Sequence, residues 1–162
     1  MAVNFFDARC QSTTSEPVFG IFDAPPAVLD FRDADIWILW VDNSEEIEVT
    51  FTAIDQCLDI PDNEGERCEG MMVYAGVLTF IELKDRNAGR WAGKSRNQLI
   101  NTINIFKKES GISRYNRLYG HIANRQRPNF KAGNKTFYQE FEDETGFILR
   151  VSDVLKIEPS II

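Results

Sequence analysis

Two apolar runs, Met71–Tyr74 and Val77–Leu83, are separated only by Ala75-Gly76. A two-residue connection with glycine in it predicts an antiparallel hairpin, and so short a loop leaves one register. Tyr74 then faces Val77, and counting outward places Glu69 across from Glu82. Lys84, two residues past Glu82, shares its face of the sheet because side chains alternate along a strand. Two opposed carboxylates repel and weaken a hairpin. A divalent cation between them reverses that sign, since magnesium takes hard oxygen ligands. A lysine on the same face could then steady a metal-activated water or the charge developing on an attacked phosphate. The residues alone leave two readings open: a metal site, or two carboxylates at strand ends in water.

The remaining pattern surrounds this hairpin with both helices and strands. Ile36–Val41 is bulky and β-branched and reads as a buried strand. Asn43 and Glu46 have the spacing of a capping box. Ile47, Phe51, Ile54 and Leu58 then recur at helical spacing, so a helix is expected before the hairpin despite Val49, Thr50 and Thr52. After a basic loop over 85–94, Leu99, Ile103 and Phe106 mark a second helix that Gly111 ends. Leu118–Ala123 reads as a strand, Thr136–Thr145 as a helix, and Phe147–Ile157 as one or two closing strands. Residues 1–17 are polar and read as a flexible lead-in. With 162 residues and 43% hydrophobic content, one domain with a substantial core is expected. The element order implies an α/β fold, a mixed β-sheet flanked by helices.

Charge is sorted along the chain. Residues 1–83 hold 17 acidic and 3 basic side chains, whereas residues 84–135 hold 13 basic and 2 acidic. That contrast says more than the net charge of −7. The basic segment carries Arg86, Arg90, Lys94, Arg96, Lys107, Arg125 and Lys131, with Trp91, Tyr115, Tyr119 and Phe130 between them. Cations can neutralise phosphates while aromatic faces stack on unpaired bases. The competing reading is that the basic segment folds against the acidic half and satisfies it.

The other residues narrow the chemistry. With His121 as the only histidine and Cys10, Cys57 and Cys68 as the only cysteines, a Cys/His zinc centre is excluded. The expectation is three reduced thiols in a cytoplasmic chain, since Met1–Asp7 lacks the basic start of a signal peptide. His121, on a predicted strand, reads as packed rather than as a general base. Asp55 and Asp59, at i and i+4 of the expected helix, are either a third carboxylate for the metal (Asp55) or a solvated face. Gln98 has two readings as well, because Ser95-Arg96-Asn97-Gln98 fits a capping box in which Gln98 merely closes a helix end.

Glu69, twelve intervening residues, then Glu82-Leu83-Lys84 at the end of an apolar strand resembles the PD-(D/E)XK nuclease superfamily, of restriction-endonuclease-like fold. Gln98 in the following helix strengthens the likeness, which spans about residues 44–125. More narrowly, Val49–Asp55, Arg67–Gly70 and Phe80–Asp85 resemble a bacterial group, mostly from Bacteroidetes, that supplies an expectation of fold alone. The resemblance implies a metal-dependent nuclease hydrolysing nucleic acid, DNA rather than RNA, with Mg2+ or Mn2+. Glu69 (where aspartate is usual), Glu82 and Asp55 would ligate metal, with the Leu83 carbonyl as a further ligand. Lys84 and Gln98 would complete the catalytic set, and Arg86, Arg90, Lys94, Arg96 and Lys107 would hold the backbone. Cutting both strands would need a homodimer or two encounters. The rival class is a non-catalytic immunity or inhibitor protein, or a binding module on the same scaffold, because the acidic first half suits a basic protein partner.

Overall fold

The computed structural model describes residues 2–87, 89–127, 130 and 135–158; Lys131 of the basic segment lies outside them. Among these residues, ten strands and two α-helices form three layers. The central sheet has six strands in the order β1 (Gln11–Thr14), β5 (Val49–Ala53), β6 (Gly70–Tyr74), β7 (Val77–Lys84), β8 (Arg117–Asn124) and β9 (Ile148–Val151). A second sheet of four runs β10 (Val154–Lys156), β4 (Leu39–Asp42), β2 (Val18–Asp23) and β3 (Ala27–Asp30). Helices α1 (Trp91–Glu109) and α2 (Lys135–Thr145) pack on the central sheet. The architecture is therefore mixed α/β. No helix among the described residues is long and apolar enough to cross a membrane.

The layers follow from alternation. Phe19, Ile21, Leu39 and Val41 of the small sheet bury against Val49, Phe51, Met72, Ile81 and Leu83 of the large one. From the opposite face Met71, Leu78, Phe80 and Ile122 meet Leu99, Ile103 and Phe106 of α1 and Phe141 of α2. A sheet covered on both sides needs apolar residues at nearly every position, which explains the unbroken run in β7. The strand orders β7-α1-β8 and β8-α2-β9 give parallel pairs, the usual consequence of a helical crossover.

The hairpin is as the two-residue loop requires. Tyr74 pairs with Val77 and Gly70 with Ile81. Ala75 and Gly76 both have positive φ, 44° and 79°, as a tight turn matching strand twist demands. Gly111, at φ 70°, ends α1 with its N–H on the Lys107 carbonyl.

Four expectations are corrected. The segment expected as a helix over 47–58 contains strand β5, because Val49, Phe51 and Ala53 bury on one face while Thr50 and Thr52 take the other. β-Branched residues fit that pleat, and pairing with β1 and β6 supplies the ladder. Asn43 caps no helix; its side chain accepts from the Ile47 N–H and donates to the Glu16 and Ile47 carbonyls. Residues 11–14, expected within a flexible lead-in, form β1, and Phe5 is fully buried against Phe106 with ring centroids 5.1 Å apart. Finally, Cys10 and Cys57 form a disulfide, so only Cys68 is a free thiol.

Candidate active site

The site lies where β6 begins and β7 ends. The paired ladder ends at Gly70 and Ile81, and the Glu69 N–H also donates to the Ile81 carbonyl, at 3.1 Å, so that Glu69 and Gly70 both meet Ile81 as in a β-bulge. Glu82 alternates with Phe80 and shares its face, toward α1, while Glu69 lies near enough to Glu82, and to Asp23 of the other sheet, for their charges to act on it. Glu82 is fully buried and Glu69 is 9% exposed. Lys84 Nζ sits 2.9 Å from Glu82 Oε2 and donates to Gln98 Oε1 at 2.9 Å. Apart from that ion pair and the nearby Glu69 backbone N–H, which also favours the ionised form, nothing among the described residues satisfies the Glu82 oxygens. A buried carboxylate so poorly satisfied is costly.

Gln98 is in the third turn of α1, since the helix starts at Trp91 rather than after a loop reaching residue 94. Ser95 Oγ donates within the helix to the Trp91 carbonyl. The capping-box reading of Gln98 therefore fails, and its side-chain oxygen is held by Lys84 instead.

Buttresses that sequence reasoning missed hold these groups in place. Asn124, buried at the end of β8, accepts from the Arg86 N–H and donates to the Arg86 carbonyl at 2.7 Å. The Arg125 N–H donates to the Lys84 carbonyl. Thr102 on α1 accepts from the Cys68 N–H at 2.8 Å and donates to the Gln98 carbonyl, tying the helix to the residue before Glu69. Asp23, at the end of β2 in the other sheet, is also near enough to act electrostatically on Glu69 and to feel Asp55 and Lys84. No spacing signal links residue 23 to the hairpin, because the contact exists only once the two sheets stack.

These surroundings push the carboxyls up. Burial raises Glu69 to about 8, with the charges of Glu82, Asp23 and Asp55 adding and Lys84 opposing. Burial raises Glu82 to about 7 against the pull of Lys84. Desolvation, then Asp55, raises Asp23. Both glutamates thus hold their protons more tightly folded than unfolded. Below their ordinary value of 4.5 both states are protonated and no penalty arises. As pH rises from there to about 8, the unfolded state releases protons first and the metal-free fold loses stability. We expect Glu82→Gln to remove its share, stabilising the metal-free protein at pH 8 by roughly 3 kcal/mol relative to pH 4. Urea unfolding of both proteins at the two pH values checks this; equal pH slopes would refute it.

The remaining sequence candidates separate. Asp55, Lys84, Arg86, Lys94 and Gln98 line one polar cleft of about 530 Å³, together with Asp62, Gly65, Glu66 and Arg67. Arg90 is exposed at the start of α1. Arg96 turns away, bonded to the Phe137 carbonyl and Glu140 and stacked on Phe137. Lys107 donates to the Thr145 carbonyl, and Arg125 to that of Asp35. Asp59 lies 3.4 Å from Arg9. The expected stacking aromatics are spent in packing: Trp91 is buried against Phe130, and Tyr119 lies under Arg150. His121 is buried, its Nε2–H donating to the Ser152 carbonyl, and desolvation lowers it to about 4, so it is neutral.

Among the described residues no three Asp, Glu, His or Cys side chains stand close enough together to hold a metal ion. Glu69 and Glu82 remain as a pair of oxygen donors behind the cleft, which Lys84 and Gln98 line and the two glutamates do not. Compared with known protein families, curated proteins and solved structures, the chain matches none.

Proposed function

We propose that this protein is a metal-dependent nuclease, a phosphodiesterase acting on DNA, with a restriction-endonuclease-like arrangement of Glu69, Glu82, Lys84 and Gln98. The observation that carries the reading is Glu82: a fully buried carboxylate paired with Lys84 at 2.9 Å, with a second carboxylate, Glu69, near enough for its charge to act. A structural ion pair has no need of Glu69 there, since its charge pushes the wrong way. A hard divalent cation does need both, and magnesium keeps several waters, so two protein carboxylates suffice. Glu82 and Glu69 would hold it, with the Leu83 carbonyl as a further donor; Asp55 lines the cleft and does not group with them as a third carboxylate. When bound, such an ion supplies the Lewis acidity that neutralises charge gathering on the phosphate.

The chain's own groups do the rest. Lys84 presents a cation at the cleft floor, held by Glu82 on one side and Gln98 on the other, where it stabilises the transition state more than the bound substrate. Gln98 gives its oxygen to Lys84, leaving its amide N–H groups for a phosphate oxygen. Arg86 and Lys94 offer cations to neighbouring phosphates.

The test is incubation with plasmid, single-stranded DNA and RNA in magnesium or manganese, with chelator controls. Cleavage that the chelator abolishes is expected. In parallel, metal should raise wild-type stability by about 2.7 kcal/mol at a hundred times its dissociation constant, and far less in Glu82→Gln. No cleavage together with identical melting of wild type and variant in metal would overturn the reading. The acidic residues on the cleft, Asp55, Asp62 and Glu66, favour one second reading, a non-catalytic protein that takes a basic partner.

A further inference from the structure

The cleft above the candidate site is divided by charge along element lines. Asp55, Asp62 and Glu66 all come from the connection between β5 and β6, whereas Lys84, Arg86 and Lys94 come from the end of β7 and the start of α1. Asp62, Glu66, Arg86 and Lys94 are exposed, and none of the four enters an ion pair among the described residues. The acidic side does not neutralise the basic one. Arg67, the one cation on the acidic side, is turned to the chain itself, its Nη2 donating to the Ile60 and Pro61 carbonyls. The acidic loop is also held in place, because the Asn101 side chain of α1 donates to the Glu64 and Glu66 carbonyls.

Two physical constraints meet here. Lys84, which lines the cleft, is 12% exposed, so a phosphate must descend into the cleft to reach it. A duplex is stiff over about 150 base pairs and keeps its phosphates on the outside of a wide rod. A duplex lowered toward Lys84 would also bring its second row of phosphates against Asp62 and Glu66. One flexible strand meets neither obstacle: it can bend inward and lie along Arg86 and Lys94 alone.

Resting on the nuclease reading above, we propose that the cleft takes a single nucleic-acid strand, with Asp62 and Glu66 excluding duplex. The acidic loop is then a specificity element. Cutting needs no second active site, because only one strand is engaged.

The experiment uses the full chain, a labelled 20-nucleotide DNA, and the same sequence as a blunt duplex. Binding is read in calcium and cleavage in magnesium, each over a salt series. The single strand should bind and be cut at least about tenfold better than the duplex, since like charges brought together at an interface are strongly unfavourable. Asp62→Asn with Glu66→Gln should narrow that ratio by strengthening duplex binding. Arg86→Ala with Lys94→Ala should lower the salt slope on the single strand by about 1.4, at roughly 0.7 per phosphate. Equal binding and cutting of strand and duplex would overturn this inference and leave the nuclease reading standing. An unchanged ratio in the Asp62/Glu66 variant would remove the acidic loop from the explanation and overturn it as stated. If neither substrate is bound or cut, the nuclease reading falls and this inference with it.

Discussion

Lys84→Ala should lose phosphodiester cleavage by about 100- to 1000-fold, the usual cost of removing one group aimed at transition-state charge. Binding of nucleic acid should change little, because Arg86 and Lys94 remain. The variant also strips Glu82 of its paired cation, and breaking a buried pair costs about 3–5 kcal/mol, less where Glu82, already pushed up to about 7, takes up a proton instead. Melting must therefore be measured beside activity. Lys84→Arg separates the two effects: it restores the charge next to Glu82 while its planar fork cannot take the position of a compact ammonium between Glu82 and Gln98. Its stability should return toward wild type while its rate stays low. If Lys84→Ala cleaves as fast as wild type, the nuclease assignment is wrong whatever the fold.

Reduction of the Cys10–Cys57 disulfide should lower stability by roughly 4 kcal/mol. The crosslink spans 47 residues, and closing a loop of that length removes about this much freedom from the unfolded chain in the loop-entropy model. The bond ties the segment that inserts Phe5 beside Phe106 to the loop bearing Asp55. Within that loop Gln56 holds a left-handed φ of 62°, a conformation a non-glycine residue keeps only under restraint. The third cysteine should not interfere: Cys68 is fully buried, and burial pushes its thiol up, away from the reactive thiolate. Guanidinium unfolding of oxidised and reduced protein, with Cys10→Ser/Cys57→Ser as a third arm, reads the difference. Superimposable curves, or three titratable thiols in the untreated native protein, would refute it.

The hairpin was legible because everything that sets it is local. Ala75-Gly76 leaves one register from Tyr74–Val77 to Gly70–Ile81, and alternation then puts Glu82 and Lys84 on one face; the pairing stops one residue short of Glu69, whose N–H shares the Ile81 carbonyl. Gly111 and the Leu99, Ile103 and Phe106 stripe are of the same kind. The segment around Phe51 misled because its apolar residues satisfy two periods at once. Ile47, Phe51, Ile54 and Leu58 suit a helix, while Val49, Phe51 and Ala53 suit a strand, and only the partners β1 and β6 chose between them.

The sequence by itself therefore determined the hairpin, the order of its charged residues and the end of the long helix, all through interactions within a few residues. Tertiary structure alone decided which cations face the cleft. Arg86 and Lys94 do, while Arg96 and Lys107 bind α2 and the carbonyl that ends it. It also decided that Asp23 approaches Glu69, that Cys10 meets Cys57, and that Asn124 fixes Arg86. Each of these joins residues tens of positions apart, so no spacing rule encodes it. Such contacts form only when the two sheets stack and α1 crosses back over the central one.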